Sequence, residues 1–429
     1  MMLQKITMAC PLFLCLLFFF TQTGFSQSSK VKEIDAYLNP FVQAKQFSGV
    51  VLVMENGKVI YEKAFGLANA DFKIPNQLDT RIGIASITKP MTLAIVARML
   101  EAGKISLADK LSKYIPDFPN GDKITVEMLV KHRSGIRHRV TKPEEEAVSL
   151  TSAEMVEKIK KAPLLFEPGT QYLYSSAGFA VLARTLEIAS GKSYAQLLDE
   201  YVFTPAGMKD SVDFNGEMIM ERRAQDYILA PTGYINAPLK DYSFLVGGGS
   251  VFSTARDLYK FTEAVLDGKL GETAKSYLVG KTDISSNGST NGHRANFKIE
   301  RGKKWGYVLV SNLNSGANDM VLQSLEAILQ GKQVAHPVIP VPKIIPNPNK
   351  NLEEFAGSYR PDAGGGTAFE VFLRNNVVQV GDLKLYPVKT DCFFEYRYYG
   401  TVCFTRDDAG KIKGIEWVAP GFKFNWSKQ

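Results

Sequence analysis

Ser86-Ile87-Thr88-Lys89 opens an apolar stretch that runs to Leu100 and stops before Gly103. Apolar residues almost all round predict a buried helix, and glycine is a frequent residue just beyond a helix end. Residues i and i+3 share one helix face, so the Lys89 amine can reach the Ser86 hydroxyl. A serine becomes a useful nucleophile when a neighbouring base takes its proton, and a lysine shielded from water can be that base. The stretch therefore predicts an activated serine at a helix N-terminus, where free N–H groups favour an oxyanion.

The same spacing occurs a second time, at Ser29-Lys30-Val31-Lys32, within a polar stretch. Nothing there would shield the lysine from water, so this copy is interpreted as a chance match. A third reactive side chain, Tyr174, follows much later in the triplet Tyr174-Ser175-Ser176. Taken alone, Ser86 also fits a simple helix cap and Tyr174 a packed aromatic. Ser86, Lys89 and Tyr174 together are the candidate catalytic residues.

The composition argues against several classes of function. The net charge of +7 is scattered, without a basic run interleaved with aromatics, which predicts no nucleic-acid partner. The histidines show no paired metal-ligand spacing, so neither a metal nor another cofactor is expected. These histidines are His132, His138, His293 and His336.

Residues 1–26 are predicted to be a secretory signal peptide. Lys5 supplies the basic region, Ala9 to Phe20 the apolar region, and Gly24-Phe25-Ser26 the cleavage site. The apolar run is too short for a comfortable membrane span. We therefore expect a secreted or periplasmic protein with no membrane span after signal cleavage.

The remaining chain predicts an α+β fold with a second, all-β unit. Asn56-Gly57 joins two strand-like segments into a hairpin near the start, and residues 294–312 read as a second hairpin. We expect the first and last strands to meet in one antiparallel sheet with a helical region inserted between them. The predicted helices cover residues 90–102, 125–132, 151–161, 177–190, 194–203 and 254–266.

Three regions follow the signal. Residues 27–336 form the main α+β domain, and the proline-rich segment 337–351 is a semi-rigid linker. Residues 352–429 carry short strands between regular turns, which predicts a small antiparallel β-barrel or β-sandwich, and we favour the barrel.

The last region holds two cysteines, Cys392 and Cys403. Their spacing suits a disulfide between adjacent strands in an oxidising compartment, and two buried free thiols fit as well. Its aromatic residues either fill a core, the commoner arrangement, or line a ligand pocket; they are Phe393, Phe394, Tyr396, Tyr398, Tyr399 and Trp417.

With Ser86, Lys89 and Tyr174 in this order, the chain resembles the serine β-lactamase-like superfamily over residues 35–330. This superfamily includes class C β-lactamases, D-alanyl-D-alanine carboxypeptidases, esterases and D-amino-acid peptidases. The segment after residue 351 resembles the lipocalin-like β-domain often appended to such hydrolases. Further matching segments are Ile105-Ser106-Leu107-Ala108-Asp109, Met128 to Gly135, Phe166-Glu167-Pro168-Gly169, Pro205-Ala206-Gly207-Met208 and Gly247 to Thr254.

The resemblance implies an antiparallel sheet flanked by helices and a role for each catalytic residue. Ser86 would attack a carbonyl and form an acyl-enzyme, while Lys89 would take or relay its proton. Tyr174 would pass that proton to the leaving group and activate the deacylating water. Whether lysine or tyrosine is the base stays open.

The sequence departs from the superfamily in two motifs. The second motif is commonly Tyr-x-Asn, and here its third residue is Ser176, a shorter hydrogen-bonding side chain. The third motif usually begins with lysine or histidine; its register fits Ser286, while Lys281 matches better by letters. We favour Ser286, followed by Gly288 and Ser289, with the backbone N–H groups of Ser86 and Ser289 as an oxyanion hole.

Without that cation, a substrate carboxylate would lose a charge-assisted contact of roughly 1.5–3 kcal/mol. We therefore expect a serine hydrolase of the esterase or D-amino-acid peptidase type, acting on a small molecule or a peptide derived from peptidoglycan. One alternative is a β-lactamase or D-alanyl-D-alanine carboxypeptidase proper. Another is a catalytically degenerate binding protein on the same fold.

Overall fold

The computed structural model describes residues 21–302, 304–362, 368–381, 383–420 and 422–429. In chain order its helices are α1 Thr21–Gln43, α2 Thr88–Glu101, α3 Val126–Val130, α4 Ser152–Lys160, α5 Ser176–Ser190, α6 Tyr194–Leu198, α7 Thr204–Ala206, α8 Ala255–Leu266, α9 Glu272–Leu278 and α10 Gly316–Leu329. These helices form two groups. One group, α2 to α9, lies between the second and third strands of the main sheet in the sequence, and the other, α1 and α10, packs on the outer face of that sheet.

The main α+β region contains thirteen of the described strands, in one large sheet and several small ones. They are β1 Gly49–Glu55, β2 Lys58–Phe65, β3 Leu67–Asn69, β4 Ile74–Pro75, β5 Ile82–Gly83, β6 Val212–Asp213, β7 Tyr227–Ala230, β8 Gly233–Asn236, β9 Val251–Ser253, β10 Asp283–Ser289, β11 Arg294–Glu300, β12 Trp305–Ser311 and β13 Leu313–Asn314.

The large sheet combines strands from the beginning and from the end of this region. Its strand order is β10-β11-β12-β1-β2, and every neighbouring pair is antiparallel. The central pair β1 and β12 aligns Val50 with Val310, so the first and last strands meet as predicted. Between them the chain builds the helical region, and the predicted α+β class is confirmed. Strand β10 is left at one edge of the sheet.

Local caps explain why several of the predicted helices begin or end where they do. The Thr151 and Thr254 side chains accept hydrogen bonds from the N–H groups of Glu154 and Asp257, and Gly191 ends α5 with φ 72°. The predicted helix 194–203 is regular only to Leu198 and continues as a π-turn over Asp199–Phe203. Helices α1, α7, α9 and α10 were not predicted.

Residues after 351 form a nearly closed β-barrel, as predicted. Nine antiparallel strands follow the order β17-β16-β15-β14-β22-β21-β20-β19-β18. They are β14 Gly357–Pro361, β15 Phe369–Arg374, β16 Val377–Val380, β17 Leu383–Lys384, β18 Tyr386–Lys389, β19 Cys392–Glu395, β20 Gly400–Arg406, β21 Ile412–Ala419 and β22 Phe422–Lys428.

Aromatic side chains fill the barrel. Phe355, Phe393 and Phe404 pack together in its core, with ring centroids 4.5–5.8 Å apart. Cys392 and Cys403 lie opposite each other on β19 and β20 and form a disulfide. The disulfide therefore closes the hairpin that carries the β19–β20 turn.

That same turn packs against the main region. Phe394, Tyr396 and Tyr399 belong to an apolar cluster shared with α1, α10 and the outer face of the large sheet. The Tyr399 hydroxyl lies 2.5 Å from Gln46 Oε1, and the Gly316 N–H donates to Tyr396 O at 3.0 Å. The barrel is thus held beside the N-terminus of α10.

The first twenty residues of the predicted signal peptide, with Cys10 and Cys15, lie outside the described residues. In the part of the chain that is described, no helix combines the length and apolar character needed to cross a membrane.

Candidate active site

Ser86 lies in a tight turn that leads directly into α2. Ala85–Ile87 form one turn of 3-10 helix, and the Ile84 N–H is anchored to Val251 O at 3.0 Å. The first residues of α2 and most of its apolar side chains are buried in the core, which explains the apolar stretch noticed in the sequence. Ser86 itself remains half-buried at the surface of a cavity.

The other two predicted catalytic residues, Tyr174 and Lys89, both contact the Ser86 hydroxyl. Tyr174 donates a hydrogen bond to Ser86 Oγ at 2.7 Å, and Lys89 Nζ lies 3.3 Å from the same atom. The first distance is suited to proton transfer, and the second is slightly longer than the usual range, as is common in a site without substrate. The second copy of the pattern lies within α1, where Lys30 pairs with Glu55.

Lys89 is nearly enclosed by protein. Its amine donates to Gly248 O at 2.7 Å and to Ser176 Oγ at 3.1 Å. Burial lowers the pKa of Lys89 to about 7, with a smaller contribution from the positive charge of Arg139. A neutral amine has two N–H groups and one lone pair. Because both N–H groups are occupied, the lone pair is available to the Ser86 hydroxyl.

Tyr174 is fixed by the start of α5. The backbone N–H of Ser175 donates to His132 Nδ1 at 3.1 Å, and that of Ser176 donates to His138 Nδ1 at 3.3 Å. Both imidazole rings also pack on the Tyr174 ring, at centroid distances of 4.7 and 5.4 Å. Burial raises the pKa of Tyr174, so its phenol stays protonated and can donate.

The two histidines act as neutral acceptors. Burial lowers the pKa of His132 and of His138 to about 4, with further contributions from the nearby Lys89 and, for His138, Arg139. A protonated Nδ1 could no longer accept the N–H groups of Ser175 and Ser176. The neutral rings therefore stabilise the turn that presents Tyr174.

Strand β10 supplies the opposite wall. Ser286 and Ser289 line the cavity, and Gly288 lies against the turn that contains Ser86. Lys281, the alternative start of the third motif, is exposed before β10 begins and is absent from the cavity wall. No lysine or arginine occurs within β10, Asp283–Ser289.

The cavity has a volume of about 580 Å³, and polar and apolar side chains line it together. It brings together Ser86, Lys89, Tyr174, Ser176, Ser286 and Ser289. Sequence reasoning missed Arg139, which lines the cavity and pairs with Glu146 at 3.3 Å. His132 belongs to a segment noted in the sequence, but its acceptor role depends on the folded geometry. Within the described residues, no group of three His, Cys, Asp or Glu side chains could hold a metal ion.

A sheet beside an inserted helical region, with serine, lysine and tyrosine at their junction, defines the β-lactamase fold class. The chain belongs to the Beta-lactamase family, whose profile matches residues 34–330. The Bacillus subtilis penicillin-binding protein PbpX is 28% identical over 60% of this chain and 64% of its own. The D-alanyl-D-alanine-carboxypeptidase/endopeptidase AmpH of Escherichia coli is 29% identical over 54% of this chain and 61% of its own.

The matched segments thus span less than two thirds of these relatives' own lengths. One solved structure is similar over most of the chain, including the C-terminal region. It is the octameric penicillin-binding protein homologue from Pyrococcus abyssi, with TM-score 0.59, 20% identity, and coverage of 92% of this chain and 99% of that one. At this identity the likeness shows a shared fold.

Proposed function

We propose that this protein is a serine hydrolase that cleaves esters or amides through an acyl-enzyme on Ser86. One observation carries the proposal: Ser86 Oγ lies within 3.3 Å of both a buried, weakly basic lysine and a protonated tyrosine. Family membership and the AmpH relative support the same class of chemistry.

The first half-reaction follows from these contacts. Lys89 accepts the Ser86 proton as Oγ attacks the carbonyl carbon, and the carbonyl oxygen becomes an oxyanion. The N–H groups of Ser86 and Ser289 are proposed to bind this oxyanion. The bond to the leaving oxygen or nitrogen then breaks, and the leaving group takes the Tyr174 proton. Lys89 returns its proton to Tyr174, leaving an acyl group on Ser86.

Water completes the cycle by the reverse route. Tyr174 and Lys89 take one proton from a water molecule as its oxygen attacks the acyl carbon. The Ser86–acyl bond breaks, Ser86 regains its proton, and a carboxylic acid leaves. We assign the role of base to Lys89, because burial favours its neutral form and disfavours ionised Tyr174.

The proposed substrates are small esters or amides, including peptides derived from peptidoglycan. We also propose that the protein is secreted or periplasmic; the predicted signal peptide and the Cys392–Cys403 disulfide support this location. The AmpH relative makes a D-alanyl-D-alanine carboxypeptidase the second candidate. Hydrolysis of nitrocefin or release of D-alanine from a stem peptide would favour that second candidate or a β-lactamase.

A fluorophosphonate probe tests the proposal, because it reacts covalently with activated serines. We expect mass spectrometry to find one adduct on Ser86, lost in Ser86→Ala and strongly slowed in Lys89→Met. Lys89→Met keeps an unbranched side chain that lacks the amine, and thermal melting would check its fold. A folded wild-type protein without any adduct would contradict the hydrolase and favour a binding protein.

A further inference from the structure

A turn of the C-terminal barrel reaches the edge strand of the active site. Arg397 lies between β19 and β20, and its Nη2 donates to Ser289 Oγ at 3.0 Å. The same oxygen accepts a hydrogen bond from Asn314 Nδ2 at 2.9 Å. Ser289 lines the cavity that holds Ser86, so the Arg397 guanidinium is bonded to a residue of that cavity's wall, while Arg397 itself lines a second, smaller cavity.

The turn that carries Arg397 is held in place from within. The buried Glu395 carboxylate accepts backbone N–H bonds from Arg397 at 2.8 Å, Tyr398 at 3.0 Å and Gly400 at 2.9 Å. Tyr399 packs so closely on α10 that a Cβ at Gly316 would lie 2.5 Å from its ring. The position of Arg397 is therefore set by the fold rather than by chance at a free surface.

The Arg397 guanidinium has no acidic partner among the described residues. Its Nε is buried and donates no hydrogen bond there. Arg139, on the other wall, already contacts Glu146, and Arg406 of the same barrel forms bonds with both Glu354 and Asp391. A partly buried guanidinium without a carboxylate loses hydration and gains no ion pair, so an anionic ligand would be favourable there.

The edge strand β10 contains no cation, and its Ser286 lines the cavity. Arg397, which donates to Ser289 of this wall, therefore supplies a positive charge beside it from another part of the chain. A guanidinium binds a carboxylate through two parallel N–H bonds, a geometry that fits planar acids well.

We infer that Arg397 binds a carboxylate of the substrate, so that the barrel takes part in substrate selection. The inference rests on the proposed hydrolase and makes esters or amides that carry a carboxylate its preferred substrates. Arg397 acts here as a specificity residue: it contacts the substrate away from the bond that breaks. Esters that lack the carboxylate would react through the same serine without its help.

Matched esters test this assignment. One pair carries either a carboxylate or a carboxamide in the leaving group, as phenylacetyl esters of 3-hydroxybenzoate and 3-hydroxybenzamide. A second pair carries the same two groups on the phenylacetyl ring of a phenyl ester. For Arg397→Gln we expect kcat/KM to fall about 10- to 100-fold for the carboxylate ester of at least one pair. The carboxamide esters should change less than about two-fold.

Two further variants sharpen the experiment. Arg397→Lys keeps the charge without the planar fork and should lie between Gln and wild type. Arg374→Gln, an exposed arginine on β15 of the same barrel, is the matched control and should leave both pairs unchanged. Thermal melting of each variant confirms that it is folded.

Other outcomes would overturn the inference. Equal losses on all four esters would indicate a structural role for Arg397, and no loss on any would remove it from recognition. A carboxylate-specific loss in Arg139→Gln alone would move the acid to the other wall. A wild-type protein that is unlabelled at Ser86 and cleaves no ester would instead refute the proposed hydrolase, and this inference with it.

Discussion

Gly288 brings the edge strand β10 into backbone contact with Ser86. A Cβ at position 288 would lie 2.1 Å from Ile84 O and 2.9 Å from Ser86 N. Side-chain carbons do not approach backbone atoms this closely, so any other residue would push β10 away from the serine. The distance between β10 and the turn that contains Ser86 therefore depends on the absence of a side chain at Gly288.

Substitution of this glycine should damage catalysis more than folding. In Gly288→Ala, β10 must shift and carry the Ser289 N–H away from the carbonyl oxygen. Loss of one oxyanion donor typically slows a reaction about 10²–10³-fold, and we expect a fall in kcat/KM of this size. Gly302→Ala is the control, since no described atom lies within 4 Å of its added Cβ. Wild-type kinetics in Gly288→Ala would contradict the proposed oxyanion hole.

The pH dependence of turnover should report Lys89. Only the neutral amine can accept the Ser86 proton, and burial lowers the Lys89 pKa to about 7. We expect kcat/KM for a neutral ester to be low in acid and to rise to a plateau as the pH passes through this value. A profile that is flat from acid to neutral pH would contradict Lys89 as the base.

Arg139 should set part of that pKa. Its positive charge disfavours a second charge on Lys89, so Arg139→Gln should raise the Lys89 pKa and move the rise in kcat/KM to more alkaline pH. Burial, the larger cause, is unchanged in this variant. The displacement should therefore be partial. A displacement toward acid would have the wrong sign for this explanation.

Acid should destabilise the protein through His132 and His138. Their pKa values are about 4 in the folded protein, against about 6.5 for an unfolded histidine. As the pH falls from about 6.5 toward 4, the unfolded chain binds protons first, and the free energy of unfolding decreases. His132→Asn retains a side-chain acceptor without titrating. Denaturation across this range should show a flatter decline for that variant, and an unchanged slope would contradict the explanation.

The disulfide should stabilise the barrel. Cys392→Ser combined with Cys403→Ser removes a cross-link that closes a short loop, worth about 3 kcal/mol in chain entropy. Chemical denaturation of the double variant should show a loss of this order, and reduced wild type should match it. Labelling of Ser86 should continue, because the disulfide lies in the barrel. Unchanged stability would indicate that the hairpin is fixed by packing alone.

Much of the fold could be predicted because its signals are local. Asn56-Gly57 is a strong turn pair, and both residues have positive φ, 52° and 74°. Helix α10 was missed because it begins with Gly316-Ala317-Asn318-Asp319, where glycine, asparagine and aspartate favour caps and turns. The packing of its apolar face on the sheet, rather than local propensity, makes this segment helical.

The candidate site was predictable only in part for the same reason. Ser86 and Lys89 are one helical turn apart, whereas Tyr174 lies far along the chain, and its role was given only by the family resemblance. Nothing local marks Arg397, which reaches Ser289 only when the barrel packs on α10. The neutral state of His132 likewise depends on N–H groups that α5 supplies after folding.

The pairing of β1 with β12 also has a consequence for synthesis. β1 is synthesised before the helical region, and its partner β12 only after it. Until then β2 covers one side of β1, while the other side presents unpaired N–H and C=O groups along Val50-Val51-Leu52-Val53. An apolar edge of this kind pairs readily with any extended chain. The growing polypeptide is therefore exposed to aggregation at β1 until β12 has been made.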